Sequence, residues 1–322
     1  MTSWMRGLGL ALALVCGPAF AQDWKPTKPV RLVVPIQGGT VDVLARIVAP
    51  RLQQLWGQPV IVDARPGAGG NIGTEAVVKS EPDGHTLLVA FTAPITVNPT
   101  LFAGRIAYDP LKDLAPITLA VTSPQLLTVH PSVPANDVRE FVRHVRQNPG
   151  RLSYASVSIG SASHLTMEML KTAAGIDLVH VPYKGSAPAV TDLMAGQVQA
   201  AVLVPGNVLP HLPGGKLKVI GSTGGKRFRA LPEVPTVAES GYDGFEAVAW
   251  IGFMAPVGTP RPVIDTYHRE IVRILALPEV RKQLEDISFE IVASTPEGFA
   301  EYIRWETPRW AKVIRDNAIK PE

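Results

Sequence analysis

The chain has 322 residues, 46% of them hydrophobic and 18% charged, with a formal net charge of +3. That composition suits a folded protein with room for two domains and excludes a disordered or fibrous chain. The small positive excess, with no Lys/Arg cluster interleaved with aromatics, excludes a nucleic-acid binder.

Arg6 precedes an apolar run from Gly7 to Phe20, and Ala19-Phe20-Ala21 offers a small-x-small cleavage site before Gln22. Residues 1–21 therefore read as a secretory signal peptide. An uncleaved anchor needs a longer apolar run of about 20 residues. Cys16, the single cysteine, lies in this segment. Val15 stands before it, where a lipid-attachment signal wants a small residue. The mature chain then has neither disulfides nor thiol chemistry, and its core alone must hold it together.

Val30, Leu32, Val33 and Val34 predict a buried strand. Gly38 and Gly39 break it, and Val41, Leu44, Ala45, Val48, Leu52 and Leu55 predict a helix that Gly57 stops. Pro50 predicts a kink or an interruption in that helix. A strand, a glycine turn and a helix in this order aim unpaired N–H groups at one point, a place for a small anion. An ordinary βα turn has the same geometry. Asp42 and Arg46, one turn apart, predict a local ion pair. A carboxylate there repels an anion, so Asp42 is expected to order the loop.

Val60 to Asp63 predicts a short strand, followed by ARPGAGGNIG at residues 64–73. The glycines miss G-x-G-x-x-G, because Ile72 stands where the third should be, so no nucleotide cofactor is expected. A helix from Gly73 to Lys79, a turn at Glu81 to Gly84 and a strand from His85 to Phe91 follow. That strand ends at Thr92-Ala93-Pro94, a strand end where binding residues often lie. Residues 117–131 are two apolar extended runs divided by Ser123-Pro124, which fits a crossing between domains. Asn136 to Gln147 is an amphipathic helix.

A strand from Leu152 to Ala155 leads into a second loop, Ser156 to His164, and a helix continues to Ala174 with Gly175 as its cap. Ser156, Ser158, Ser161, Ser163 and Gly160 open this helix with no acid among them, which suits a carboxylate. Capping by one serine is the simpler alternative. Pro188 fits the first turn of a third helix, which ends near Gly196. Tyr183 either covers a ligand or packs beside Pro182. The strand from Gln197 to Val204 ends at Pro205-Gly206-Asn207, and Leu217 to Ser222 is another strand. Lys226 to Arg229 reads as a solvated basic loop. Ala247 to Ala255 reads as a return crossing. Pro262 onward is helical, with Trp305 and Trp310 as core anchors. These repeated strand–loop–helix units predict an α/β protein with mostly parallel sheets, and the two anion-ready loops suggest two lobes facing one ligand.

The chain has no G-x-S-x-G, no His-x-x-x-His and no acid pair placed for general acid–base work. His164 and Glu168 lie one turn apart but do not make a metal site by themselves. Nothing requires an enzyme, although a dispersed triad leaves no local signature. No metal and no cofactor are expected.

VVPIQGGTVDVLAR (33–46), ARPGAGGNIG (64–73), PDGHTLL (82–88), SIGSASHL (158–165), HVPYKGSAPAVTDLMAGQV (180–198) and LPEVPTVAESGYDGFE (231–246) follow one another across the mature chain. In these motifs the sequence resembles the Bug-type substrate-binding receptors of tripartite tricarboxylate transporters. The resemblance implies a two-lobed periplasmic binding protein, type II-like, with a cleft between the lobes and two crossing strands. Residues 22–123 with 246–322 would form one lobe and 124–245 the other. The function implied is hinged capture of a small organic carboxylate and its delivery to integral membrane transporter subunits. Ile36, Gln37, Gly38, Gly39, Thr40, Asp42 and Thr92 would serve from the first lobe. Ser156, Ser158, Gly160, Ser161, Ala162, His164, Tyr183, Pro205 and Gly206 would serve from the second, partly through bound water. Ile36 and Gln37 replace aromatic and proline residues usual in the family, which makes the pocket more polar. An apolar turn follows Val204 where many relatives have an acid, which favours a carboxylic acid without an amino group. A sensor signalling to a membrane kinase is the alternative, and a periplasmic enzyme on the same fold a more remote one.

Overall fold

A computed structural model describes residues 24–36 and 38–321. The expected signal peptide, with Cys16, and Gln37 lie outside the described residues.

Strand β1 (Val30–Val34) is buried at every position but Arg31. It runs into helix α1 (Gly39–Trp56), whose buried stripe of Val41, Leu44, Ala45, Val48 and Leu52 covers the sheet. The helix continues through Pro50 rather than stopping there. Pro50 is on the solvent side, and Arg51 donates to the Ile47 carbonyl at 2.8 Å. Water and this side chain can therefore serve the carbonyls beside the missing N–H. The next elements are β2 (Val60–Ala64), α2 (Asn71–Val78) and β3 (Thr86–Phe91). After β3 comes a π-helical turn at Ala93–Val97, then the short helices α3 (Asn98–Leu101) and α4 (Pro110–Asp113).

β4 (Leu114–Pro124) crosses directly into β5 (Leu126–Val129). The second lobe continues with α5 (Val138–Gln147), β6 (Ser153–Ser156), α6 (Ala162–Ala174) and β7 (Val179–Pro182). It is completed by α7 (Ser186–Met194), β8 (Ala200–Leu203) and β9 (Lys218–Ser222). β10 (Val248–Pro256) then returns to the first lobe. The chain ends with α8 (Arg261–Leu275), α9 (Pro278–Asp286), β11 (Glu290–Ile291) and α10 (Pro296–Asp316).

The strands form two sheets, in the orders β11-β4-β10-β3-β1-β2 and β7-β6-β8-β5-β9. Neither is mostly parallel. β10 lies antiparallel to β3 and β4, and β5 antiparallel to β8 and β9. The exceptions are the crossing strands: each enters a sheet of βα units from the other lobe, and one runs out as the other runs back. Where they cross, Thr223 ties them together. Its hydroxyl accepts from the Gln125 N–H at 2.9 Å and donates to the Ala247 carbonyl at 2.5 Å.

The first lobe's core lies between its sheet and α1 and α8, around Leu32, Leu44, Phe253 and Tyr267. The second lobe's core gathers Phe141, Tyr154, Leu165 and Val202. α10 serves both. Phe299 and Ile303 pack with Leu88, Leu119 and Trp250, whereas Trp310, Val313 and Ile314 pack with the second lobe's core. Trp305 is not a core anchor: it is 41% exposed and lies against Arg309. The basic loop expected to be solvated keeps its three basic residues exposed while each makes an ion pair. Lys226 pairs with Glu290, Arg227 with Glu239 and Arg229 with Glu285, each at 2.9 Å, and Phe228 is buried.

Candidate ligand-binding cleft

A cavity of about 780 Å3 opens between the lobes. Its first-lobe wall is built by three strand–helix loops of one sheet: Pro35, Ile36, Thr40 and Val41 after β1, Pro66 to Gly70 after β2, and residues between Phe91 and Phe102 after β3. Its second-lobe wall is Val157 to Ala162 after β6, and Ala249 to Ile251 of the crossing strand β10 lie between them. This is the carboxyl end of the parallel strands, where βα loops leave helix N-termini facing a crevice.

Glycine makes the first two loops possible. Gly38 and Gly39 hold φ of +71° and +72°, which L side chains rarely adopt. Gly70 (φ +97°) lies so close to Phe91 that a Cβ would be 3.0 Å from its ring. In the second lobe, Ser161 caps α6. Its hydroxyl accepts from the His164 N–H at 3.3 Å and donates to the Ser158 carbonyl at 2.7 Å. The N–H groups of Ala162 and Ser163 have no acceptor among the described residues. They stand at the positive end of the helix dipole.

No described residue of the cavity wall is charged. Its polar side chains are those of Thr40, Thr92, Asn98, Ser158 and Ser161, and Phe91, Phe102, Trp250 and Phe289 are its aromatic residues, the last two almost fully buried. Thr92 is engaged: its hydroxyl accepts from the Trp250 N–H at 3.3 Å. So is Asn98, whose amide donates to the Gly69 carbonyl at 3.1 Å and to Asn71 at 2.7 Å, stiffening the second loop.

Behind the second-lobe loop stands a column of rings. Tyr154 stacks on His180, and His180 on His164, with centroids 4.9 and 3.9 Å apart. His164 Nδ1 accepts from the Gly160 N–H at 3.0 Å, and His180 Nε2 lies 2.7 Å from the Ser156 hydroxyl. Burial, with the neighbouring His180, lowers His164 to about 4; burial also lowers His180. Both imidazoles are therefore neutral at pH 7, and Nδ1 of His164 is free to accept. At the far end Tyr154 donates to Glu168, which also pairs with Lys171 at 2.8 Å.

Of the residues expected at the site, Ile36, Thr40, Thr92, Ser158, Gly160, Ser161 and Ala162 line the cavity. The other described ones are elsewhere. Gly38 and Gly39 shape the turn without entering the wall. Asp42 is bonded to Arg46 at 2.7 Å. Ser156 and His164 are buried behind the loop, engaged with His180 and Gly160. Tyr183 donates to Asp192 at 2.7 Å and packs against the core beneath α7. Pro205 and Gly206 form a 3-10 turn outside the wall. The cavity adds residues that the sequence analysis did not single out: the loop Pro66 to Gly70, Phe91, Asn98, Leu101, Phe102, Ala249 to Ile251 and Phe289. Only the first had a local signal, its run of glycines. Among the described residues no cluster of His, Cys, Asp or Glu is placed to hold a metal, and no helix is long and apolar enough to cross a membrane.

The family model described as the tripartite tricarboxylate transporter family receptor matches residues 44–319. A Pseudomonas protein encoded in the tcbD-tcbE intergenic region is 38% identical over 310 residues, which are 95% of this chain and 92% of that protein. An R. palustris protein solved with adipate superposes with a TM-score of 0.79 at 34% identity, covering 92% of this chain and 99% of that one. The periplasmic binding protein BugD superposes with a TM-score of 0.75, also at 34% identity, over 92% of this chain and all (100%) of its own. The two-lobed architecture, the crossing strands and these matches lead to one conclusion: the chain belongs to the receptor family of the tripartite tricarboxylate transporters, the Bug-type periplasmic binding proteins.

Proposed function

We propose that this protein captures a small organic carboxylate in the cleft and delivers it to the membrane subunits of a tripartite tricarboxylate-type transporter. The observation that carries the reading is a cleft with no charge among its described wall residues and with the free N–H of Ala162, a wall residue, at the start of α6. A carboxylate there gains charge-assisted hydrogen bonds in a site that closure dries. The remaining wall, mostly apolar with Phe91 and Phe102 in it, favours an apolar body, and no acid stands among its described residues to pair with an amino group. The adipate of the R. palustris relative has both properties, carboxylates and a hydrocarbon chain.

In this reading residues 22–123 with 246–322 and residues 124–245 are the two lobes, and closure is a hinge motion at the crossing strands. Residues 1–21 are a signal peptide removed on export to the periplasm. Gln37, Thr40 and Ser158 add side-chain contacts to the ligand. The protein carries its ligand unchanged, with no catalysis and no cofactor.

Titration calorimetry of the mature protein tests the reading. Adipate or benzoate is expected to bind, and the matching uncharged amide is not. Glutamate binding where 2-oxoglutarate does not would overturn the preference for a ligand without an amino group.

A further inference from the structure

Glu306 lies midway along α10, where the helix passes from one core to the other: Ile303 packs in the first lobe and Trp310 in the second. Its side chain is in a residue only 3% exposed. Such burial of a carboxyl is costly unless it is bonded. Here the partners are neutral. Oε2 accepts from the Trp250 indole N–H at 2.7 Å, and the Tyr302 hydroxyl approaches Oε1 at 3.4 Å. The Thr96 hydroxyl and the Trp310 indole also lie beside it, the latter's N–H without a well-aligned bond. No cation pairs with it among the described residues. Trp250 borders the cleft, with its side chain almost fully buried, and belongs to β10, one of the two crossing strands.

The surroundings hold few competing charges. β4, α3 and the π-helical turn carry no titratable side chain on the faces packed against α10. On α10 itself, Tyr302 is pushed far up by burial and by Glu306. Arg309 donates to the carbonyls of Gly244 and Glu246 rather than to Glu306, and Glu246 precedes β10. On α6, another neighbour, His164, Glu168 and Lys171 are bonded to Gly160, Tyr154 and one another. Burial raises Glu306 to about 7.

We propose that Glu306 is a proton-linked positioning residue of the cleft: it holds the Trp250 indole in the wall between the lobes, and its ionisation opposes capture of an anion across that ring. The second half rests on the carboxylate reading of the cleft. Two like charges separated by a low-dielectric wall repel, so an anionic ligand favours the protonated carboxyl. By linkage the protonated carboxyl favours the ligand equally. The pH of the compartment would then set how strongly the receptor holds its cargo.

The test follows the 15N-indole resonance of Trp250 from pH 5.5 to 8.5 in the ligand-free protein and in Glu306→Gln, which keeps the acceptor but cannot ionise. The resonance should move with a midpoint near pH 7 in the wild type and stay flat in the variant. A flat wild-type resonance, which needs no variant to observe, overturns the proposal; so does the same titration in Glu306→Gln. Adipate affinity is measured alongside. It should weaken by about five-fold or more from pH 6 to pH 8 in the wild type only. A pH-independent affinity overturns the linkage. Absence of adipate binding at both pH values overturns the ligand half together with the reading beneath it, while the resonance still decides the positioning half.

Discussion

The imidazoles of His164 and His180 lie face to face, 3.9 Å between ring centres and 9° apart in plane. Neither can take a proton without placing a cation against a buried neighbour, and protonated Nδ1 of His164 could no longer accept from Gly160. Both pKa values are lowered in the fold, so the unfolded chain binds these protons more readily. Their contribution to stability is complete above the ordinary histidine value and is lost as pH falls from there towards about 4, the folded value of His164. The melting temperature should therefore drop through this window. His164→Leu should flatten the drop, and it should cost about 1–3 kcal/mol at pH 7 by leaving the Gly160 N–H unpaired. Thermal unfolding of both proteins across the window checks both effects.

Gly160, on the second lobe's loop, faces Leu101 of α3 so closely that a Cβ would run into the leucine Cδ2. Its φ of +73° adds strain to any substitution. Gly160→Ala should therefore hold the lobes apart and weaken ligand binding, on the order of ten-fold for about 1–2 kcal/mol of strain and displaced packing. Small-angle scattering with and without ligand would show a smaller compaction than in the wild type. Unchanged affinity and compaction would mean that Leu101 swings aside freely.

The Thr223 hydroxyl bridges Gln125 and Ala247, one on each crossing. Thr223→Val keeps the shape and leaves the buried Gln125 N–H without its acceptor. A loss of about 1–3 kcal/mol is expected by denaturant unfolding. Thr223→Ser, which restores the bridge, should recover most of it.

Local signals explain why some of this site was legible in the sequence and some was not. Gly38-Gly39 and Ser156 to His164 each sit between an apolar run and a helical repeat, and such junctions announce themselves within a dozen residues. Ser123-Pro124 likewise marks the first crossing. The same signals left Tyr183 open between covering a ligand and packing, and placed neither it nor His164, because they do not say which side of a loop a ring occupies. Here the stacked column and Asp192 decide it. Phe91, Phe102, Trp250 and Phe289 come from separate segments and meet only through the order of the strands. Glu306 looked like any acid on an amphipathic helix. Its burial depends on a crossing strand more than fifty residues away, Trp250 and Glu306 being 56 apart.

Glu306 also leaves a mark on stability. Its folded value, about 7, is above the ordinary 4.5. The folded state therefore holds this proton more tightly, and stability falls as pH rises from about 4.5 to about 7. A shift of that size corresponds to about 3 kcal/mol. Glu306→Gln should remove this part of the pH dependence and be relatively more stable at pH 8. Denaturant unfolding at pH 5 and pH 8 measures it.

The most direct measurement of the central claim is a thermal-shift comparison of carboxylates with their own amides, made on protein unfolded and refolded to strip any bound ligand. A ligand that binds only the folded state raises the melting temperature. The account predicts that adipate, benzoate or a related acid raises it while the matching amide, equal in shape but uncharged, does not. Equal shifts with acid and amide, or no shift with any carboxylate, would contradict capture of an anion between these lobes.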